Sequence, residues 1–234
     1  MLSVEKGERV DHESLKTVPV PVATESYQPV LHNELADMVR TIGQDILHDF
    51  TFYKEQYALA REGRQMFGIH TYQNGSNEMG LSIGFRNSYD KSLSIGIALG
   101  ASVFVCDNLA FTGDVMLFRK HTSNVLEDLH QLILSAVYSQ KSNFLDIQKD
   151  SDKLKQVDMD DDRAFKMMGL LYGRGIMSPR QLPVILHEWL HPGYEDFKPR
   201  NAWSLYNACT EALKTAPPQH VMEKHIRLHH LFGA

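Results

Sequence analysis

The stretch QMFGIHTYQNGSNEMGLSIGF, residues 65–85, decides the fold. Two runs rich in apolar and aromatic residues, 65–72 and 79–85, flank Gln73-Asn74-Gly75-Ser76-Asn77. An Asn-Gly pair tolerates positive φ, so the pattern predicts two antiparallel strands joined by a tight connection. Upstream, residues 52–60 read as a further strand, closed by Arg61-Glu62-Gly63. Downstream, residues 93–106 are rich in Ile, Leu and Val, with Gly100 marking a bulge or break, and residues 109–118 form another strand. The whole region reads as a β-meander.

The flanks change period. Leu35, Met38, Val39, Ile42 and Ile46 recur at helical spacing, with Asn33 as the expected N-cap. Before them, Pro19, Pro21 and Pro29 keep the chain extended, so residues 1–29 are a lead-in. From Thr122 the chain turns helical, with Val125, Leu129, Leu132, Ile133, Ala136 and Val137 as one apolar stripe. Residues 146–162 are heavily charged and read as a solvated helix end and linker. Further helices are expected at about 162–172, from Ser178-Pro179-Arg180-Gln181 to Leu190, at 200–215 and at 218–231. Strands grouped between helices argue for α+β: an N-terminal helix, an antiparallel β-meander, a long helix and a helical C-terminal part. The expected organisation is a 1–29 lead-in, a 30–150 α+β core, and a 151–234 helical part packed on that core.

Composition narrows the class. Of 234 residues, 43% are hydrophobic and 23% charged, the balance of a globular protein. A chain this long should bury about 70% of the surface it exposes when unfolded. The net charge of −5 argues against a protein that coats duplex DNA, though not against a local basic patch. Cys106 and Cys209 lie far apart and form no CxxC pair, which points to a reducing compartment. The chain has no run of 18 apolar residues and no signal-like start, so the expectation is a cytoplasmic protein with no membrane partner.

Two groups of residues carry possible chemistry. Arg86-Asn87-Ser88-Tyr89-Asp90-Lys91-Ser92 sits between two strands, and Arg119-Lys120-His121-Thr122 ends a later one. In an up-and-down meander both segments fall at one end of the sheet. Arg86, Lys91, Arg119 and Lys120 would then form one patch able to contact phosphates, with Phe118 or Tyr89 to stack on bases. The plain alternative is a turn held by Asn, Ser and Asp side chains. The second group is His187-Glu188-Trp189-Leu190-His191, an HExxH string. On a helix, His187 and His191 share a face and could hold zinc while Glu188 activates water. Against this, Pro192-Gly193 ends the helix at once, and only Glu195, Asp196 and Glu211 offer a third ligand. The alternative is an amphipathic helix with Leu182, Ile185, Leu186 and Trp189 inward.

Weaker signals have plain readings. Cys106 has no adjacent base and reads as a buried thiol before an Asx turn. His225 and His229, at i and i+4, read as part of an exposed polar face, beside the alternative of a metal pair. Asp158 to Asp162 lacks the glycine and distal glutamate of a calcium loop and reads as a helix N-terminus. There is no phosphate loop, dinucleotide fingerprint or GxSxG, which argues for a non-enzymatic role without a cofactor, zinc being the alternative.

Three ordered segments carry a resemblance. Asn87-Ser88-Tyr89-Asp90-Lys91-Ser92, Val105-Cys106-Asp107-Asn108 and Trp203 to Glu211 are similar to the segments of the domain-of-unknown-function 932 family, over roughly residues 30–215. The resemblance implies a phage- or plasmid-borne protein and transfers no catalytic residue. In that setting the expected roles are binding or annealing single-stranded nucleic acid, or binding a host protein to block defence or regulate. The helix–meander–helix order also resembles the core of single-strand annealing proteins, which implies a homo-oligomer.

Overall fold

A computed structural model describes residues 7–75, 79–103, 108–122, 124–216 and 218–233. Six strands form one antiparallel sheet in sequence order: β1 (Gly7–Val10), β2 (Thr51–Ala60), β3 (Gln65–Gln73), β4 (Met79–Ser88), β5 (Ile95–Val103) and β6 (Asn108–Arg119). The α+β expectation therefore holds, and the lead-in adds β1 at the edge beside β2. Between β1 and β2 come one helical turn, α1 (His12–Leu15), and the first full helix, α2 (His32–Ile46). The 31-residue α3 (Val125–Lys155) follows the sheet. The chain then runs through α4 (Asp161–Gly173), α5 (Leu182–Leu190), a 3-10 turn at Glu195–Phe197, α6 (Ala202–Leu213) and α7 (Pro218–Gly233).

Alternation along the strands sets the two faces of the sheet. Tyr57, Met66, Tyr72, Leu81, Ile83, Phe85, Ile95, Ile97 and Leu99 point into the main core with Leu35 and Val39 of α2 and Leu129 and Ile133 of α3. Ala58, Phe67, Ile69 and Ala98 face the other way into a smaller cluster, met by Val221 and Ile226 of α7. The β2–β3 turn carries positive φ at Arg61 (52°), Glu62 (59°) and Gly63 (82°). The expected bulge at Gly100 is present, because the β5–β6 register shifts between Ala98 and Gly100.

Gly68 is fixed by close approach. A Cβ there would lie 2.4 Å from two ring atoms of Phe85, itself fully buried. Gly68→Ala should therefore overpack the core and cost roughly 1–3 kcal/mol, read as a lower urea midpoint at unchanged slope.

Four expectations are corrected. Asn33 is not the N-cap: α2 opens at His32, and the Tyr89 hydroxyl accepts the His32 N–H (2.9 Å), so a tertiary contact replaces a side-chain cap. Leu186 is exposed rather than inward; Ile185 and Trp189 alone of the four are fully buried. His225 and His229 are buried, because α7 turns that face toward α3 and α6, where His229 meets Tyr206 edge-on and Asp150 at 3.5 Å. Tyr89 is buried as well, which removes it as a base-stacking surface. The acidic run does start a helix: Asp160 caps α4 by accepting the Arg163 N–H (2.8 Å). Val105-Cys106-Asp107 lies outside the described residues.

Candidate functional site

The strand registers bring the two basic segments together. Arg86 of β4 pairs across from Gly96 of β5, and Gly96 from Phe118 of β6, so all three share one face. Gly96 has no side chain to separate its neighbours; a Cβ there would meet Arg86 Nε at 3.1 Å and a Phe118 ring carbon at 3.2 Å. The Arg86 guanidinium consequently lies 5.0 Å from the centre of the Phe118 ring, a ring that stays 47% exposed. Burial pushes the Arg86 pKa down, and its Nε–H donates to the Ser94 carbonyl (3.4 Å). Arg119, one residue on, points to the opposite face. There it pairs with Asp128 in the first turn of α3, which offsets its charge.

Most of the polar loop after β4 is structural, as the plain reading anticipated. Asn87 Nδ2 donates to the Val30 carbonyl (2.6 Å) and to His32 Nδ1 (3.0 Å). His32 Nδ1 is thus an acceptor, so its Nε2–H donates to the Gly63 carbonyl (2.9 Å). Its ring stacks on Tyr89, 3.8 Å between centroids. Ser88 and Leu93 bond each other reciprocally (2.9 and 3.1 Å). Asp90 accepts from the Ser92 N–H (3.0 Å) and from Arg61 (3.3 Å), and Gln65 donates to Ser92 Oγ (2.6 Å). These bonds join the start of α2, the β2–β3 turn and the β4–β5 loop.

Lys91 is the exception. It holds φ +60° at the loop tip, and its Nζ lies 4.5 Å over the Tyr27 ring. Tyr27 comes from the lead-in, which is stitched to the end of β6 where the Gln28 N–H donates to the His121 carbonyl (3.1 Å). The Tyr27 and His121 rings meet at 5.4 Å. A cavity of about 300 Å³ results, lined among others by Ser26, Tyr27, Lys91, Lys120, His121 and Thr122. His121 is only 7% exposed, and both its ring nitrogens are sealed from solvent beside the Gln28 backbone. Burial holds its pKa below the usual imidazole range, so the ring is neutral at pH 7. Of the four basic residues singled out from the sequence, Lys91 and Lys120 line this cavity and Arg86 lies beside Phe118. Sequence reasoning did not place Ser26 and Tyr27 here; an aromatic residue inside a proline-rich lead-in was the available signal.

The HExxH residues are placed differently. His187 and His191 stand with ring centroids 5.5 Å apart, but α5 stops at Leu190. Trp189 is locked by Asp161 of α4, which accepts its indole N–H (2.9 Å), and Arg200 lies over its ring at 4.5 Å. Among the described residues no group of three His, Cys, Asp or Glu side chains could hold a metal.

A second polar chain runs under α2, half-buried at Arg40 and Glu55 and buried at Tyr57 and His70. Arg40 pairs with Glu55 (3.3 Å), Tyr57 donates to Glu55 (3.1 Å), and His70 bonds the Tyr57 hydroxyl (2.8 Å). Since the one Tyr57 proton goes to the carboxylate, His70 Nε2–H is the donor. The imidazole is walled by Phe52, Tyr57 and Phe85.

Residues 19–229 match the family described as a domain of unknown function, DUF932. The chain belongs to the DUF932 family. The family's Asn-Ser-x-Asp-x-Ser resemblance falls on the hydrogen-bonded loop around Asn87, and its Trp203-to-Glu211 segment on the buried helix α6. No curated protein and no solved structure matches the chain. Among the described residues no helix is long and apolar enough to cross a membrane.

Proposed function

We propose that this DUF932 protein is a non-enzymatic nucleic-acid-handling protein that binds single-stranded nucleic acid at the end of the sheet where β4, β5 and β6 meet. The observation that carries the reading is the convergence of Lys91 and Lys120 on one cavity, beside an exposed Phe118 ring braced by Arg86. Lysines supply phosphate contacts and an exposed ring supplies a stacking surface, the two ingredients of strand binding without sequence readout. The net charge of −5 opposes a polyanion overall, so the attraction has to come from this patch.

Charge reversal tests the assignment. The double variant K91E/K120E should bind a single-stranded oligonucleotide roughly tenfold more weakly, about 1.4 kcal/mol. Its log affinity against log salt should also be shallower by about 1.4, since each single-strand phosphate contact contributes about 0.7. Fluorescence anisotropy measures both; an unchanged affinity would sink the site.

One surface favours a second reading, binding of a protein partner. Leu126, Leu134, Tyr138 and Leu145 lie along one side of α3 and are exposed, Tyr138 at 78%. A single-stranded oligonucleotide that fails to bind while a specific host protein is retained by the wild type, and lost with Tyr138→Glu, would favour it.

A further inference from the structure

We infer that the exposed apolar side of α3 docks into the groove between α4 and α5 of a second copy of this chain, building a head-to-tail assembly. The inference stands apart from strand binding and gives the exposed side of α3 its occupant.

The groove is set by a helical hairpin. Asp161, at the start of α4, accepts the indole N–H of Trp189, near the end of α5 (2.9 Å), so the two helices run antiparallel. Phe165 and Tyr172 follow Asp161 at helical spacing and share the side of α4 that faces α5. Leu186 and Leu190 flank Trp189 on α5. These four side chains are between 36% and 51% exposed, although each adjoins a buried residue in the chain. Gly169 lies on the same line between Phe165 and Tyr172; a Cβ there would meet nothing within 4 Å, so the groove is open. Lys166 stands next to Phe165, and Arg174 and Arg180 lie in the connection that closes the hairpin. All three are exposed, and none is held in an ion pair among the described residues.

The ridge is on α3. Leu134, Tyr138 and Leu145 keep to one side of the helix at the spacing of a heptad seam. They lie across the helix from the buried Leu129, Ile133 and Ala136, which leaves Tyr138 protruding. Glu127 and Asp152 extend the line by one heptad at either end. Lys149, on the same side, is already paired with Asp146 (3.0 Å), and Asp152 meets Lys155 at 3.6 Å.

Shape and charge then match. A protruding helix side fits a groove between two helices, and the carboxylates that end the ridge suit the cations around the groove. Exposed apolar patches mark binding surfaces. Here one face is convex and the other concave, and one chain carries both. The contact is therefore heterologous, and it continues into a ring if the rotation closes or into a filament if it does not.

Sedimentation velocity of the full chain over a range of concentrations tests this. Tyr138→Glu blocks the ridge; Leu186→Glu blocks the groove, with Phe165→Glu in its place should that variant fail to fold. All three positions are exposed, and circular dichroism melts report the fold. The wild type should form species larger than a dimer, and each variant alone should stay monomeric. An equimolar mixture of a ridge variant and a groove variant should give one-to-one dimers and nothing larger, because each keeps the face the other lacks. A wild type that stays monomeric at every concentration would overturn the inference and leave the α3 side to a different protein. A wild type that stops at a dimer, with assembly lost in Tyr138→Glu and kept in the groove variants, would overturn it by showing that α3 pairs with α3. A mixture that stays monomeric would show that the two faces do not meet.

Discussion

Asn87→Ala should cost about 2–4 kcal/mol of stability. The amide at this position donates to two buried acceptors, the Val30 carbonyl and His32 Nδ1. Alanine leaves both unpaired in a site with no solvent access, and each orphaned polar group costs about 1–3 kcal/mol. The loss propagates, because His32 also bonds the Gly63 carbonyl and stacks on Tyr89, whose backbone N–H donates to Arg64 (2.7 Å). Urea unfolding followed by tryptophan fluorescence should show a lower midpoint with unchanged slope. A change under about 0.5 kcal/mol would mean that the loop does not depend on this amide.

Acid should unfold the protein from two buried imidazoles. Burial lowers the His32 pKa to about 4 and the His70 pKa to about 3. Unfolded, both would titrate near 6.5. Between those values the unfolded chain binds more protons than the folded one, so stability rises with pH and falls as acid is added. The contribution is complete above about pH 6.5 and is lost progressively toward pH 4, at up to about 1.4 kcal/mol per pH unit for each ring. The groups around His32 are the Asn87 amide, the Gly63 carbonyl, Tyr89 and the neutral His121; around His70 they are Tyr57, Arg40 and His12. No carboxylate among them stabilises a charged imidazole. Urea midpoints measured from pH 7.5 to pH 4.5 should be flat at first and then decline. A flat profile throughout would show that these rings are hydrated.

The meander was legible because strand alternation and the turns at Arg61-Glu62-Gly63 and Asn74-Gly75 are local signals. The shared location of the β4–β5 loop and the end of β6 followed from topology alone: an up-and-down sheet returns every second connection to the same end. What topology does not give is parity. Phe118 and Arg119 differ by one position, and the sheet sends one toward Arg86 and the other toward Asp128. Nor does it show that residues 26–28 fold back over the β6 exit, a contact made through one backbone hydrogen bond and the Tyr27–His121 ring pair. The charged run misled in part for a similar reason. Ion pairs at i, i+3, Lys149–Asp146 and Lys153–Asp150, let α3 continue to Lys155 while Ile147 and Leu154 stay buried beneath it.

The most direct test of the central claim is fluorescence anisotropy with an internally labelled single-stranded oligonucleotide, titrated at low and at moderate salt. The account predicts micromolar or tighter binding at low salt that weakens steeply as salt rises. Absence of binding at low salt would contradict it.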